Sequence, residues 1–327
     1  MRIAVVGAGA IGGWLSIPLA AAGHDVSVLA RGATLTALEN APWRLLRGGE
    51  TIEARVRASD DPLALGEQDV VIVAVKGPAL AAAAPAIHAL IGANTTVIPA
   101  MNGVPWWFLL AGGGELASST TLSSVDPSGD IARAIPFERV VGCVVHASAA
   151  VTAPGEVRHA AGNKLIFGEP TGASSARLAE IASCFRDAGF DVVATERIQR
   201  AIWYKLWGNM TMNPISALTG ATCDRILDDP LVNGFVLGVM AEASEIGRRI
   251  GCEITESGRD RMAVTRQLGA IKTSMLLDVE SGRPIELDQL LGAPSEIARL
   301  LGVATPNLDA LFGLTRLSAR SAGLYAG

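Results

Sequence analysis

Residues 1–31 read MRIAVVGAGAIGGWLSIPLAAAGHDVSVLAR, and this stretch decides the fold. Residues 3–6 are an apolar run, too short for a helix and right for a buried parallel strand. Gly7-Ala8-Gly9-Ala10-Ile11-Gly12 follows, a GxGxxG that opens an Ala/Leu-rich helical stretch to about residue 22. Gly23 closes that helix, and residues 25–29 give a second strand. Strand, glycine turn, helix and strand form the context that a dinucleotide-binding turn requires. Gly7 permits the tight turn, Gly9 lets backbone approach a pyrophosphate, and Gly12 lets helix and strand pack closely. The phosphates sit on the free N–H groups and positive dipole end of such a helix. A GxGxxG alone is weak evidence; its flanking elements make this one strong. A secretory leader is the bland alternative, since Arg2 precedes an apolar stretch. The strand–helix periodicity and the central glycines speak against it.

The second strand runs into Ala30-Arg31, and no acidic residue lies between Val26 and Leu38. An Asp or Glu near this point binds the ribose hydroxyls of NAD, whereas an Arg suits the 2′-phosphate of NADP. The expected cofactor is therefore NADP(H).

Half of the 327 residues are apolar and 18% are charged, enough for two domains with buried cores. A formal net charge of −5 argues against nucleic acid or an anionic membrane as partner. The least polar stretch, residues 78–93, is interrupted by Pro85 and His88 and reads as a helix of the first domain. A membrane-spanning helix needs about 20 apolar residues. The expectation is a cytoplasmic protein. Cys143, Cys184, Cys223 and Cys252 form no CxxC, and His24, His88, His146 and His159 show no ligand spacing. No metal site is expected, and the cysteines read as buried free thiols.

Further along, residues 69–75 (Asp-Val-Val-Ile-Val-Ala-Val) are the clearest buried strand, ending at Lys76-Gly77. Ligands of open parallel sheets bind beyond the carboxyl ends of the strands, so Lys76 is placed to reach a cofactor phosphate or ribose. Residues 95–99 form the next strand and lead into Asn102-Gly103, a turn that puts an amide side chain at the same edge. Pro105-Trp106-Trp107-Phe108 follows, a cleft wall, a core or an oligomer contact. Residues 109–138 read as a polar, glycine-rich loop. Strands are expected at 139–146, 157–159 and 164–167, with turns at Pro154-Gly155 and Gly162-Asn163. A helix over 174–188 and a strand over 191–195 close the first domain. Helical patterns then run at 196–218, 230–250, 257–282, 285–302 and 306–320. The fold class is thus an α/β N-terminal Rossmann-type domain, residues 1–195, followed by an all-α domain, residues 196–327.

The helical part contains Trp-Tyr-Lys-Leu-Trp-Gly-Asn-Met-Thr-Met-Asn-Pro over residues 203–214. Lys205, Asn209 and Asn213 are spaced by four, which puts them on one helix face. Asn is a poor helix former. Two of them beside a lysine in an apolar segment point to a desolvated, cleft-facing stripe rather than a solvated face.

On these motifs the chain resembles the ketopantoate reductase family over nearly its whole length. The shared features are Gly7-Ala8-Gly9-Ala10-Ile11-Gly12, Arg31, Lys76, Asn102-Gly103, the lysine–asparagine–asparagine helix, Ser274 and Glu286-Leu287-Asp288. The resemblance implies NADPH-dependent reduction of a 2-oxo acid, with ketopantoate, the precursor of pantoate in pantothenate synthesis, the first substrate expected. It implies Lys205 as the catalytic acid and Glu286 as the acid beside the reacting oxygen and the lysine. Asn102, Asn209, Asn213 and Ser274 would hold substrate. The glycine turn, Arg31 and Lys76 would hold cofactor, with Asn102 and Glu286 also against it. The chemistry is coherent: hydride attack on a ketone builds negative charge on oxygen, which a positioned ammonium stabilises and protonates. A lysine lowered in pKa by a dry cleft suits that task. Substrate is expected between the two domains, with closure excluding water. Two alternatives stay open: a reductase of another branched or aromatic 2-oxo acid, and a non-catalytic NADP(H)-binding sensor. The aromatic run and the final helices are candidates for a homodimer contact or for core.

Overall fold

A computed structural model of the chain describes all residues except Ser119, Leu268 and Gly327. By internal contacts the chain divides into two units, Met1–Met101 with Asp130–Ile198, and Asn102–Gly129 with Gln199–Gly327.

The first unit is α/β. Its elements begin with β1 (Arg2–Val6), α1 (Ala10–Ala21), β2 (Asp25–Leu29), α2 (Gly32–Asn40), β3 (Trp43–Arg47), β4 (Glu50–Ala54) and β5 (Arg57–Ser59). They continue with α3 (Pro62–Leu65), β6 (Gln68–Val73), α4 (Gly77–His88), β7 (Ile91–Pro99) and α5 (Asp130–Ala134). The last are β8 (Gly142–Ala153), β9 (Glu156–Gly168), α6 (Ala176–Asp187) and β10 (Asp191–Ala194). One sheet has the order β5-β2-β1-β6-β7, with every neighbour pair parallel. β1 sits at its centre, and the strand order reverses between β1 and β6. This is the doubly wound arrangement, whose ligand crevice lies at that reversal. β1 is buried from Ile3 to Val6, as an all-apolar central strand must be.

The strands over 43–54 and 142–194 assemble into a second sheet, in which β9 is the hub. β9 pairs with β3 and β10 in parallel and with β8 in an antiparallel hairpin. Pro154-Gly155 turns that hairpin as expected. Gly162-Asn163 does not end the strand: β9 continues through it, with Gly162 at φ +75 and a slip of register against β8 at that point. Helix α1 lies against both sheets. Its residues 12–19 are all buried. Trp14 stacks on His159 and meets Phe190 edge-on. A Cβ at Gly13 would stand 2.6 Å from Val157 and 2.9 Å from Trp43. The helix expected over 78–93 stops at His88, because residues 91–99 extend β7 toward its start.

The second unit is helical. It holds α7 (Ile198–Thr219), α8 (Cys223–Asp228), α9 (Pro230–Arg249), α10 (Gly258–Arg266), α11 (Ser274–Glu280), α12 (Ala293–Leu301) and α13 (Pro306–Ser321). α7 is apolar on nearly every face and is buried accordingly. Its indoles of Trp203 and Trp207 donate to the carbonyls of Ala243 and Met240 on α9, at 3.1 and 2.8 Å. Each such bond contributes about 1 kcal/mol. The single helix expected over 257–282 is two. α10 starts on a Ser257–Asp260 capping box, and α11 restarts where the Thr273 hydroxyl accepts the Leu276 N–H. Leu268, within that expected helix, lies outside the described residues. The helix expected over 285–302 opens with a π-helical turn, Asp288–Gly292, before α12.

Residues 102–129 differ most from a division at 195/196. Trp106, Trp107 and Phe108 are buried, with Phe108 tilted against Trp203 on α7 at 6.2 Å. Glu115 accepts from Arg249 at 2.6 Å, and the Ser123 and Ser124 N–H groups donate to Glu296 at 2.9 and 2.8 Å. Apolar burial and these bonds tie the segment to the helical unit, and the aromatic run is core.

Among the described residues no helix is long and apolar enough to cross a membrane, and no cluster of metal-ligating side chains occurs. The four cysteines are free and buried. Burial pushes the Cys184 thiol up to about 11 and Cys252 to about 12, which leaves both as unreactive thiols at neutral pH.

Gly12 tests the packing of α1 on its strand. A Cβ there would overlap the Gly7 carbonyl oxygen, which is backbone and cannot rotate away. Gly12→Ala is expected to cost about 2 kcal/mol or more, read as a fall in the urea unfolding midpoint. An unchanged midpoint would refute the packing account.

Candidate active site

The residues expected to hold cofactor gather at the carboxyl ends of β1, β2 and β6. Gly7-Ala8-Gly9-Ala10-Ile11-Gly12 forms the turn from β1 into α1. Gly7 has φ +108, open to glycine, and a Cβ on it would stand 2.8 Å from the Ala74 carbonyl just past β6. Gly7 and Gly12 are thus demanded by the protein's own packing. Gly9 is not: nothing lies within 4 Å of the place its Cβ would take. Gly9 is also the N-cap of α1, and no side chain caps that end. The free N–H groups of the first turn and the open space above Gly9 suit an anionic group brought close to backbone. Arg31 follows β2 as the N-cap of α2 and is exposed. Lys76 follows β6 as the N-cap of α4 and is half-buried.

The other expected residues lie in the helical unit. Lys205, Asn209 and Asn213 recur at four-residue steps along α7. Lys205 and Asn209 are half-buried, and Asn213 is buried. The Lys205 Nζ donates to Asn102 Oδ1 at 2.8 Å. Asn102 is the first residue of the segment that joins the helical unit, so this bond spans 103 positions within one unit. The next residues are pinned as well. The Val104 N–H donates to the Gln289 carbonyl at 2.9 Å, and a Cβ at Gly103 would lie 2.5 Å from that same oxygen. Gln289 belongs to the π turn, three residues after Glu286. Glu286 is half-buried, and Ser274 is the exposed first residue of α11.

The sequence reading assigns no role to Asp288, which it shows only as part of the Glu286-Leu287-Asp288 motif, to Gln289 or to Tyr325. The Tyr325 hydroxyl donates to Asp288 Oδ1 at 2.6 Å. Burial raises the Asp288 carboxyl above its ordinary value, against the pull of that hydrogen bond. Burial and the nearby carboxylate push Tyr325 up to about 12. The phenol is therefore neutral, and remains the donor of this bond, throughout the neutral range. π turns are rare, and they cluster at functional sites. Its place beside Glu286 is the one local signal, and it is visible only in the backbone.

Chemically, one unit presents an uncapped helix N-terminus at a sheet reversal, with two cationic side chains at neighbouring strand ends. The other presents an ammonium aimed by an amide oxygen, two further amides on its face, and a carboxylate beside a π turn. The first set suits binding of a dinucleotide, the second polarisation of a carbonyl.

Comparison with known proteins agrees. Residues 3–109 match the family model described as ketopantoate reductase PanE/ApbA, and residues 197–319 match its C-terminal counterpart. A 2-dehydropantoate 2-reductase of Mesorhizobium japonicum is 41% identical over 327 residues, covering all of both chains. The crystal structure of a candidate ketopantoate reductase from Ralstonia solanacearum MolK2 superposes with a TM-score of 0.94 at 57% identity, covering 99% of each chain. D-mandelate dehydrogenase, solved with NADH and anilino(oxo)acetate, has a TM-score of 0.83 over 99% of this chain and all of its own, at 19% identity, a likeness of fold alone. With both halves matched and a full-length relative at that identity, the chain belongs to the ketopantoate reductase PanE/ApbA family.

Proposed function

We propose that this chain reduces 2-dehydropantoate to pantoate with NADPH, the reduction of a 2-oxo acid to a 2-hydroxy acid that serves pantothenate and coenzyme A synthesis. Oxidoreductase chemistry on this substrate follows from the family and the full-length relative. The observation that carries the mechanism is the Lys205 ammonium held by the Asn102 amide oxygen on the helix face shared with Asn209 and Asn213.

A dinucleotide fits the residues present. The open side of Gly9 and the uncapped start of α1 take the pyrophosphate. Arg31 takes the 2′-phosphate, and Lys76 supports a phosphate or ribose oxygen. When bound, the reduced nicotinamide supplies the hydride to the carbonyl carbon. As negative charge grows on the carbonyl oxygen, the Lys205 Nζ stabilises it and delivers the proton. Asn102 accepts one Nζ–H and so fixes the direction of the ammonium. Asn209, Asn213 and Ser274 bind the carboxylate and hydroxyl through neutral groups. Glu286 orients the lysine and the reacting oxygen.

The first test is NADPH oxidation by the purified protein across a panel of 2-oxo acids headed by ketopantoate. NADPH-selective turnover of ketopantoate is expected. Turnover of a bulkier 2-oxo acid alone would move the substrate and keep the chemistry. NADPH binding without any turnover would favour a sensor.

Three substitutions test the roles. Lys205→Ala is expected to lower kcat by roughly 100-fold or more while NADPH affinity holds; normal turnover would remove it as the acid. Arg31→Ala should weaken NADPH much more than NADH in paired fluorescence titrations, and equal losses would sink the 2′-phosphate role. Gly9→Ala should raise the Kd for NADPH at least ~10-fold, yet leave the unfolding midpoint in place. A fall in that midpoint would show that Gly9 serves the fold instead.

A further inference from the structure

Helix α13 ends in a Schellman motif. The Leu324 N–H donates to the Ala319 carbonyl at 2.8 Å, and the Gly323 N–H donates to Arg320 at 3.0 Å. Gly323 takes φ +68, which reverses the chain without strain. Leu324 and Tyr325 are thereby sent back across the residues that flank Glu286. On one flank, the Ile285 N–H donates to the Leu324 carbonyl at 3.2 Å, and both side chains are buried. On the other, the Tyr325 hydroxyl donates to Asp288 Oδ1 at 2.6 Å. The phenol ring carries the Arg320 guanidinium 5.7 Å from its centroid, which fixes the ring in turn.

Glu286 thus lies on a short bridge anchored at both ends by two successive residues. Just before it, Arg283 and Pro284 are exposed and outside any helix; just after it comes the π turn. A π turn has a wider, less regular hydrogen-bond ladder than an α-helix. Glu286 itself lies outside the regular helices, just ahead of that turn. We propose that Tyr325 is a positioning residue for the reduction: with Leu324 it clasps both flanks of Glu286 and fixes where that carboxylate points. The proposal rests on the reading of Glu286 as part of the reaction site. The same π turn holds Asn102 through the Gln289–Val104 bond, so the clasp also steadies the turn that carries the lysine's partner.

The test is a double-mutant cycle in the full-length enzyme with ketopantoate and NADPH. Tyr325→Phe keeps the ring and removes only the hydroxyl. It is expected to lower kcat roughly 10-fold, since small misplacements of a reacting group cost that much or more. The KM for NADPH and the unfolding midpoint should stay close to those of the unaltered enzyme. Asp288→Asn, whose amide oxygen still accepts from the phenol, should lose less than Asp288→Ala. In a Glu286→Gln background, Tyr325→Phe should add little, because the group it positions is already changed. An unchanged kcat in Tyr325→Phe overturns the proposal. So does an equal loss in both backgrounds, which would make Tyr325 independent of Glu286. Glu286→Gln with full turnover would instead overturn the reading of Glu286 itself, and the two failures are told apart by that single variant.

Discussion

Helix α1 has almost no free surface, and the first unit is arranged around that constraint. On one side Gly12 presses on the backbone of its own entry turn; on another Gly13 leaves room only for Trp43 and Val157. The same closeness fixes the turn at Gly7 against Ala74 beyond β6. A helix so confined cannot tilt or slide. Its N–H groups therefore point in one direction, toward the open side of Gly9. Tight packing behind the turn is what makes the loose place in front of it useful. An anion-binding helix end gains from being immobile, since it then pays no ordering cost when the ligand arrives.

The helical unit solves a different problem. An ammonium among apolar side chains is costly unless something accepts its protons. Asn102 does so at 2.8 Å, through a neutral amide oxygen. Asn102 is itself held by its chain neighbours: Gly103 and Val104 lock onto Gln289, and the aromatic residues after them sink into the core beside α7. The direction of one side chain is thus underwritten by a hydrophobic anchor several residues away.

Much of this was legible in the amino-acid sequence. β1, the glycine turn and α1 announced themselves because local rules act there over a few residues: an apolar run, φ > 0 at Gly7, small residues for close contact. The four-residue spacing on α7 was legible for the same reason. What was not legible depends on contacts distant in sequence. The continuation of β9 through Gly162-Asn163 follows from its pairing with β8 on both sides and β10 beyond, which reduces a local turn signal to an irregularity in the strand. The break between α10 and α11 appears only where capping side chains find their N–H groups. The bond of Tyr325 to Asp288 spans 37 positions and has no short-range signature. Nor does the departure of residues 102–129 from the unit whose sheet they follow: the aromatic run at 106–108 was visible, but its packing against α7 joins positions far apart in the chain.

That departure bears on how such a protein can be altered by recombination. The chain passes between its two units at residues 101/102, 129/130 and 198/199. The helical unit is therefore encoded in two pieces, with part of the α/β unit spliced between them. A genetic crossover near residue 198 would bring in a new α7 yet retain the old Asn102, Trp106, Trp107 and Phe108. The lysine and its acceptor would then come from different ancestors, and so would the two sides of one aromatic contact. The units look modular in space, but heredity must transmit them together.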